Sequence, residues 1–301
     1  MHYLFATERP DYSDLASGRV LYSLPGHPAF PIRLADEILQ RCLAWRAANH
    51  LTGSCVLYDP CCGGAYHLSV LAALHWRSFR EIVGSDIDES AVGVARRNLG
   101  LLSADGLDRR VGELSDLFNL YGKESHNAAL ESARRLRARI GGLAAEHPLG
   151  ARVFQANALD GEALRQHLNG VAVEIVFADV PYGWQSQWRA SDPGAEPGQE
   201  LLVHSGNGSK ITSSAAKGSD PFPECGRAPN LHDAQANSDA QSGDPLRRML
   251  DALLAVTAPT SVVAVISDKQ QKARHEGYQR LEQFQVGKRR VVLLKPEMVR
   301  R

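Results

Sequence analysis

One short stretch narrows the choice of fold more than any other: Val56-Leu57-Tyr58-Asp59-Pro60-Cys61-Cys62-Gly63-Gly64-Ala65-Tyr66-His67-Leu68. An apolar run with β propensity ends in an acid, a tight turn of small residues follows, and Leu68, Leu71, Ala72 and Leu74 then recur at helical spacing. Strand, small-residue turn and helix open a nucleotide-binding α/β unit, in which the turn's backbone approaches a ligand closely. Asp59, Pro60, Cys61, Cys62, Gly63 and Gly64 are therefore the first candidate cofactor-binding residues.

Two further stretches repeat the strand-then-acid pattern. Glu81-Ile82-Val83-Gly84-Ser85-Asp86-Ile87-Asp88 follows at the distance an αβ crossover needs. An acid at the tip of a second strand suits a pair of ribose hydroxyls, since a carboxylate accepts two hydrogen bonds at once. Asp86 stands at the strand's end and is the favoured ribose ligand; Asp88 is a second candidate that also fits a helix cap. The third stretch, Val173 to Gly183, is a buried-type strand running into Asp179-Val180-Pro181-Tyr182-Gly183.

With all three in order, the chain resembles the class I S-adenosylmethionine-dependent methyltransferases. Asp179-Val180-Pro181-Tyr182 is a variant of the Asp/Asn-Pro-Pro-Tyr motif of enzymes that methylate nucleobase nitrogens. More narrowly, the chain resembles the avilamycin-resistance 23S rRNA methyltransferases. The likeness rests on Ser13-Asp14-Leu15-Ala16, on Pro28-Ala29-Phe30-Pro31-Ile32-Arg33-Leu34-Ala35, on Asp59-Pro60-Cys61-Cys62-Gly63, and on Asp179 to Gly183. It spans most of the chain except about residues 189–244.

The resemblance implies an α/β fold: a Rossmann-like sheet, mostly parallel with an antiparallel C-terminal strand, helices on both faces and an inserted helical segment. It implies S-adenosyl-L-methionine as cofactor, 23S ribosomal RNA as partner, ring N1 of a guanine as acceptor, and resistance to an orthosomycin-type antibiotic. Asp179, Pro181 and Tyr182 would be catalytic: the carboxylate takes the N1 proton and the aromatic ring fixes the plane of the base. Val180 replaces the more usual Pro, which leaves guanine N2 or adenine N6, in RNA or DNA, as alternative targets. Many methyltransferases place an Asp after the third strand to accept from the adenine amino group. Asn157 stands there, able to accept without charge assistance. Ala65 stands where the family usually has Gly, which costs on the order of 1 kcal/mol if the position needs positive φ.

Composition sets the outer limits. Lysine plus arginine and aspartate plus glutamate number 34 each, so net charge selects no partner. Residues 189–244 hold four basic and eight acidic residues, leaving a mildly basic body of 30 against 26. The five cysteines form no Cys-x-x-Cys pair, which argues against zinc or a disulfide framework. No apolar signal region opens the chain and no stretch reaches the length of a membrane span, so a cytoplasmic protein is expected. Oligomeric state is not legible.

The remaining chain reads as one domain over 1–301. Residues 1–50 form a strap and a helix beginning near Pro31, with Leu34, Ile38, Cys42 and Trp45 on one face. The strap aromatics Tyr3, Phe5, Tyr12, Tyr22 and Phe30 are read as packing onto the core, with stacking on RNA bases as the competing reading. Residues 103–148 read as an insertion of two helices, Asp105–Phe118 and Glu124–Glu146. The second buries Leu130, Ala133, Leu136 and Ile140 and turns Arg134, Arg135, Arg137 and Arg139 outward. Those arginines suit an rRNA backbone; a solvated helix exterior is the bland alternative, and the resemblance favours RNA. Strands are expected at Ala151–Gln155, Ser261–Ile266, Tyr278–Gln285 and Lys288–Leu294, with a helix capped by Asp160 and another from Pro245. Residues 189–244 lack apolar periodicity and read as a disordered insertion. Two other readings compete. An NAD-dependent oxidoreductase shares the glycine turn but not Asp-x-Pro-Tyr-Gly, and a non-catalytic RNA-binding factor would keep only the scaffold.

Overall fold

The computed structural model describes residues 3–180 and 244–297. The body comprises Met1–Trp188 and Asp244–Arg301, and residues 189–243 lie outside the described residues. The expected disordered insertion at 189–244 therefore lies outside them too, apart from Asp244. That residue belongs to the body: its side chain accepts from Leu246 N and caps the helix that follows.

The stretch that opens the sequence argument forms the middle of the sheet. In β1 (Cys55–Asp59), Val56, Leu57 and Tyr58 have no solvent exposure, as a strand covered on both faces requires. Around it lie β2 (Phe79–Asp86), β3 (Gly150–Gln155), β4 (Val173–Asp179), β5 (Thr257–Asp268), β6 (Tyr278–Val286) and β7 (Arg289–Pro296). Their order is β3-β2-β1-β4-β5-β7-β6. Pairing is parallel from β3 to β5 and antiparallel for β5–β7 and β7–β6. The order reverses between β1 and β4, the crevice where open α/β sheets bind ligands.

Alternation along the strands sends side chains to two separate cores. Leu57, Ile175, Phe177 and Ile266 share one face with α1 (Ile32–Ala48), α2 (Tyr66–Leu74) and α3 (Glu89–Gly100). Val56, Tyr58, Val176, Ala178 and Val265 share the other with α6 (Gly161–Leu168) and α7 (Pro245–Leu254). The inserted pair, α4 (Ala104–Tyr121) and α5 (Glu124–Glu146), packs on the first face through Leu107, Leu114, Leu130, Ala133, Leu136 and Ile140. Ser103 caps α4, and Gly122, at φ +60°, ends it in the left-handed conformation that glycine adopts without strain.

The strap is tied down by charge. One buried carboxylate, Glu37 of α1, accepts the backbone N–H groups of Leu4, Phe5 and Ala6, and Arg41 holds it from below. Tyr22 lies between the guanidinium groups of Arg97 and Arg110, and Phe30 is buried. Packing is thus the fate of Tyr22 and Phe30, while Phe5 keeps 41% of its surface exposed. No helix among the described residues is long and apolar enough to cross a membrane.

Candidate active site

The turn after β1 is stitched together by backbone groups. Cys62 N donates to Ser85 O of β2, Ala65 N to Cys62 O, and Gly63 N to the Asp86 carboxylate at 2.8 Å. Gly63 is partly exposed at φ +52°, and a Cβ there would meet only Leu24 Cδ2, at 4.0 Å. Gly64 serves another purpose: a Cβ there would meet Val94 at 3.1 Å and Leu24 at 3.4 Å. Asn98, fully buried on α3, donates to the Gly64 and Tyr22 carbonyls and accepts from Tyr22 N. Turn, strap and α3 are thereby fixed to one amide. Ala65 does need positive φ: it sits at +52° and starts α2.

Burial and capping divide the candidate residues. Asp59 has no exposed surface; one oxygen accepts from Cys61 N and the other lies 2.7 Å from His67 Nε2, so it braces the turn against α2. Asp88 caps α3, accepting from Ser90 N and Ala91 N, as its alternative reading allows. Pro60 and Cys62 are buried beneath the turn, whereas Cys61, Gly63 and Gly64 stay partly open. Asp86 takes Gly63 N on one oxygen and Asp88 N on the other. A carboxylate has about four acceptor sites, so capacity remains for a pair of hydroxyls. Ala156 N donates to Asp86 O, which brings Asn157 beside it; the Asn157 Oδ1 accepts from Leu159 N.

The two acid-tipped strands converge. In the β1–β4 register Leu57 pairs with Ile175 and Tyr58 with Val176, so Asp59 comes level with Phe177, and Asp179 lies two residues further on the same face. Cys61 lies within the field of Asp59, Asp86 and Asp179 together, and burial, aided by those charges, keeps its thiol protonated. Asp179 is half-buried as a residue, but its Oδ1 is sealed from solvent with no hydrogen-bond partner among the described residues. Burial pushes its carboxyl up to about 7; His67 and Arg289 oppose the rise and Asp59 adds to it. Val180 N donates to Ile266 O and continues the ladder. Pro181 and Tyr182 lie outside the described residues.

His67 is the residue that sequence reading missed. It occupies the first turn of α2, is nearly buried, and lays its ring against Phe177 at 4.9 Å and Phe30 at 5.8 Å. A signal was there: helical spacing puts His67 with Val70, Leu71 and Leu74, a polar ring on an apolar stripe.

The four arginines of α5 are less free than their pattern suggests. Arg134 pairs with Glu131, Arg135 forks onto Asp14, Arg137 forks onto Asp108, and Arg139 donates to Ala73 O. Among the described residues no group of three acidic, histidine or cysteine side chains is placed to hold a metal ion.

These features meet a known pattern. The family model described as "rRNA methyltransferase AviRa" matches residues 1–207 and 233–289. The chain belongs to the AviRa family. A curated relative from Streptomyces viridochromogenes, named 23S rRNA (guanine(2535)-N(1))-methyltransferase, is 44% identical over 200 residues, covering 66% of this chain and 78% of the relative. Two solved structures of the rRNA methyltransferase AviRa from the same organism, at 2.4 Å and 1.5 Å, each superpose with a TM-score of 0.73 at 32% identity. Each superposition covers 98% of this chain and 96% of the other. The AviRa matches bear out the mostly parallel, Rossmann-like methyltransferase sheet, in which the C-terminal strand β7 runs antiparallel between β5 and β6.

Proposed function

We propose that this chain transfers a methyl group from S-adenosyl-L-methionine to ring N1 of a guanine in 23S rRNA, with Asp179 as general base. The observation that carries this reading is the Asp179 carboxyl, half-buried at the end of β4 with a proton affinity near neutrality. Neutral guanine N1 is a poor nucleophile because its lone pair is delocalised in the ring. A base matched to the working pH takes the N1 proton as the bond forms and leaves the electron pair on nitrogen. A carboxylate of ordinary acidity would hold that proton too weakly.

The donor fits the residues present. Asp86, with acceptor capacity left over, would hold the ribose hydroxyls, the open Gly63 backbone would pass beneath the chain of the donor, and Asn157 would face its adenine. When bound, the sulfonium supplies an electrophilic methyl group and leaves as a neutral thioether. The protein's part is alignment: β1 and β4 hold turn and base side by side, which suits an in-line displacement. Tyr182, outside the described residues with Pro181, would stack on the extruded base. Arg134, Arg135 and Arg137 of α5 would exchange their acidic partners, and Arg139 its bond to the Ala73 carbonyl, for rRNA phosphates. A methyl on N1 removes a donor from the Watson–Crick edge, the kind of change that would bar an orthosomycin from its ribosomal site.

Labelled methyl transfer to 23S rRNA fragments, followed by nucleoside mass analysis, tests the reading. N1-methylguanosine is expected, and Asp179→Ala should lower the rate by roughly 10²–10⁴-fold. N2-methylguanosine or N6-methyladenosine would establish the alternative acceptors, and absence of any labelled nucleoside would leave only the RNA-binding scaffold.

A further inference from the structure

The guanidinium groups of α5 are engaged within the protein, whereas two on α3 and α4 are not. Gly93, Arg96, Arg97 and Gly100 recur at helical spacing along the outward face of α3. α4 crosses that face in backbone contact: a Cβ on Gly106 would stand 1.9 Å from the Gly100 carbonyl oxygen. Beside the crossing lies a cleft of about 390 Å³, whose lining includes Tyr22, Gly93, Arg96, Arg97, Gly100 and Arg109. A second hollow of about 540 Å³ shares Arg96, Gly100 and Arg109 with it and reaches Arg152 of the edge strand β3. Both volumes fall among those of small-ligand sites, about 300–1,000 Å³.

Arg97 stands over the Tyr22 ring at 3.6 Å, with Arg110 over the same ring at 4.2 Å, yet its side chain keeps 56% of its surface exposed. Glu113 is the acid of the cleft, and it already accepts from Arg110 and from the Tyr22 hydroxyl. Arg96 and Arg109 are exposed and have neither hydrogen bond nor ion pair among the described residues. Two such guanidinium groups where the hollows join, beside a helix face kept bare by Gly93 and Gly100, suit an anion that approaches closely. The cleft is also tied to the crevice. Asn98 of α3 donates to the Gly64 and Tyr22 carbonyls, and Arg97 stands about 13 Å along the helix from Asp88.

We propose that the cleft between α3 and α4 holds the backbone of the rRNA strand flanking the target base. Arg96 and Arg109 take its phosphates, and Arg97, propped on Tyr22, is the platform for a base. This rests on rRNA as the substrate of the crevice.

The test is binding of a 23S rRNA fragment to the full chain across a salt series, beside methyl transfer to the same fragment. With Arg96→Gln and Arg109→Gln combined, the slope of log K against log salt should become shallower by about 1.4–1.8, the loss of two phosphate contacts. KM for the RNA should rise with kcat unchanged. Arg97→Lys keeps the charge and loses the plane, so it should weaken binding several-fold at the same slope; equal affinity overturns the platform. Arg248→Gln removes an exposed charge from α7, on the other face of the sheet, and should leave the slope in place. An unchanged slope in the double variant, or as large a change per charge in Arg248→Gln, overturns the proposal. Wild type that fails to bind rRNA overturns it together with the substrate reading. Binding that depends on Arg96 and Arg109, without methyl transfer, supports the cleft and removes the catalytic reading alone.

Discussion

Ionising Asp179 costs the fold stability. In the unfolded chain its carboxyl ionises near the ordinary value of 3.8; in the fold it holds its proton up to about 7. Between those values the folded state binds more protons than the unfolded one, so stability falls as pH rises, and the full penalty is present above pH 7. Asp179→Asn has the same shape and no charge to bury. It should unfold at higher denaturant than wild type at pH 8, with the gap closing toward pH 4; an equal gap at both ends would show that its ionisation costs the fold nothing. Ala65 is a second strained residue. Relief of its left-handed backbone by Ala65→Gly gains about 1–2 kcal/mol, against roughly 0.8 for a buried methyl and about 0.5–1 for glycine's freedom in the unfolded chain. These nearly cancel, so equilibrium unfolding should place the variant within about 1 kcal/mol of wild type. Single residues were legible as positions more than as roles. Asp59, Asp86 and Asp179 stand at strand ends as the sequence indicates, and Asp88 caps the helix that follows β2. Burial separates Asp86 from Asp59, which is sealed beneath the turn, and a helix cap separates it from Asp88.

At the scale of elements, the turn after β1 depends on what β2 does not carry. A Cβ on Gly84 would stand 2.9 Å from Cys62 Sγ, 3.2 Å from Cys62 Cβ and 3.3 Å from Leu68, in a core with no room to yield. Gly84→Ala should therefore destabilise the protein by about 1–3 kcal/mol and weaken S-adenosyl-L-methionine binding by moving the turn, both measurable by calorimetry. Normal affinity in a destabilised variant would show that the turn's position does not govern the donor. The elements themselves were largely written in local pattern: α5 spans Glu124–Glu146 as its stripe predicts, and the closing hairpin turns at Gly287. The exceptions are informative. β5 starts at Thr257, four residues before the apolar run at Ser261, because Thr257 pairs with Val173 and Ser261 Oγ bonds Val173 O across a bulge. Such an extension comes from the neighbouring strand and leaves no hydrophobic period to read. α4 likewise runs to Tyr121, past Phe118, with Leu120 and Tyr121 exposed and only Gly122 to stop it.

Across the whole molecule, what the sequence hides is the pairing of charges far apart in the chain. The outward arginines of α5 look like a basic face because their partners are elsewhere: Asp14 lies 121 residues from Arg135, and Asp108 lies 29 from Arg137. Periodicity reports which face a residue occupies but not what another element brings to it. These pairs do not end the case for RNA. Exposed ion pairs contribute about 0–1 kcal/mol, whereas each phosphate neutralised releases counterion and steepens the salt dependence of binding. If α5 lies along the rRNA backbone, Arg134→Ala combined with Arg137→Ala should lower affinity alike for matched and mismatched fragments. The slope of log K against log salt should become shallower by about 0.7–0.9 for each phosphate contact removed, while stability changes by less than about 1 kcal/mol. Asp108→Ala, which releases Arg137 from its fork, should act in the opposite direction and tighten binding at low salt. An unchanged slope in the double variant, with Asp108→Ala also silent, would make α5 an ion-paired exterior and move the RNA contact to another face of the body.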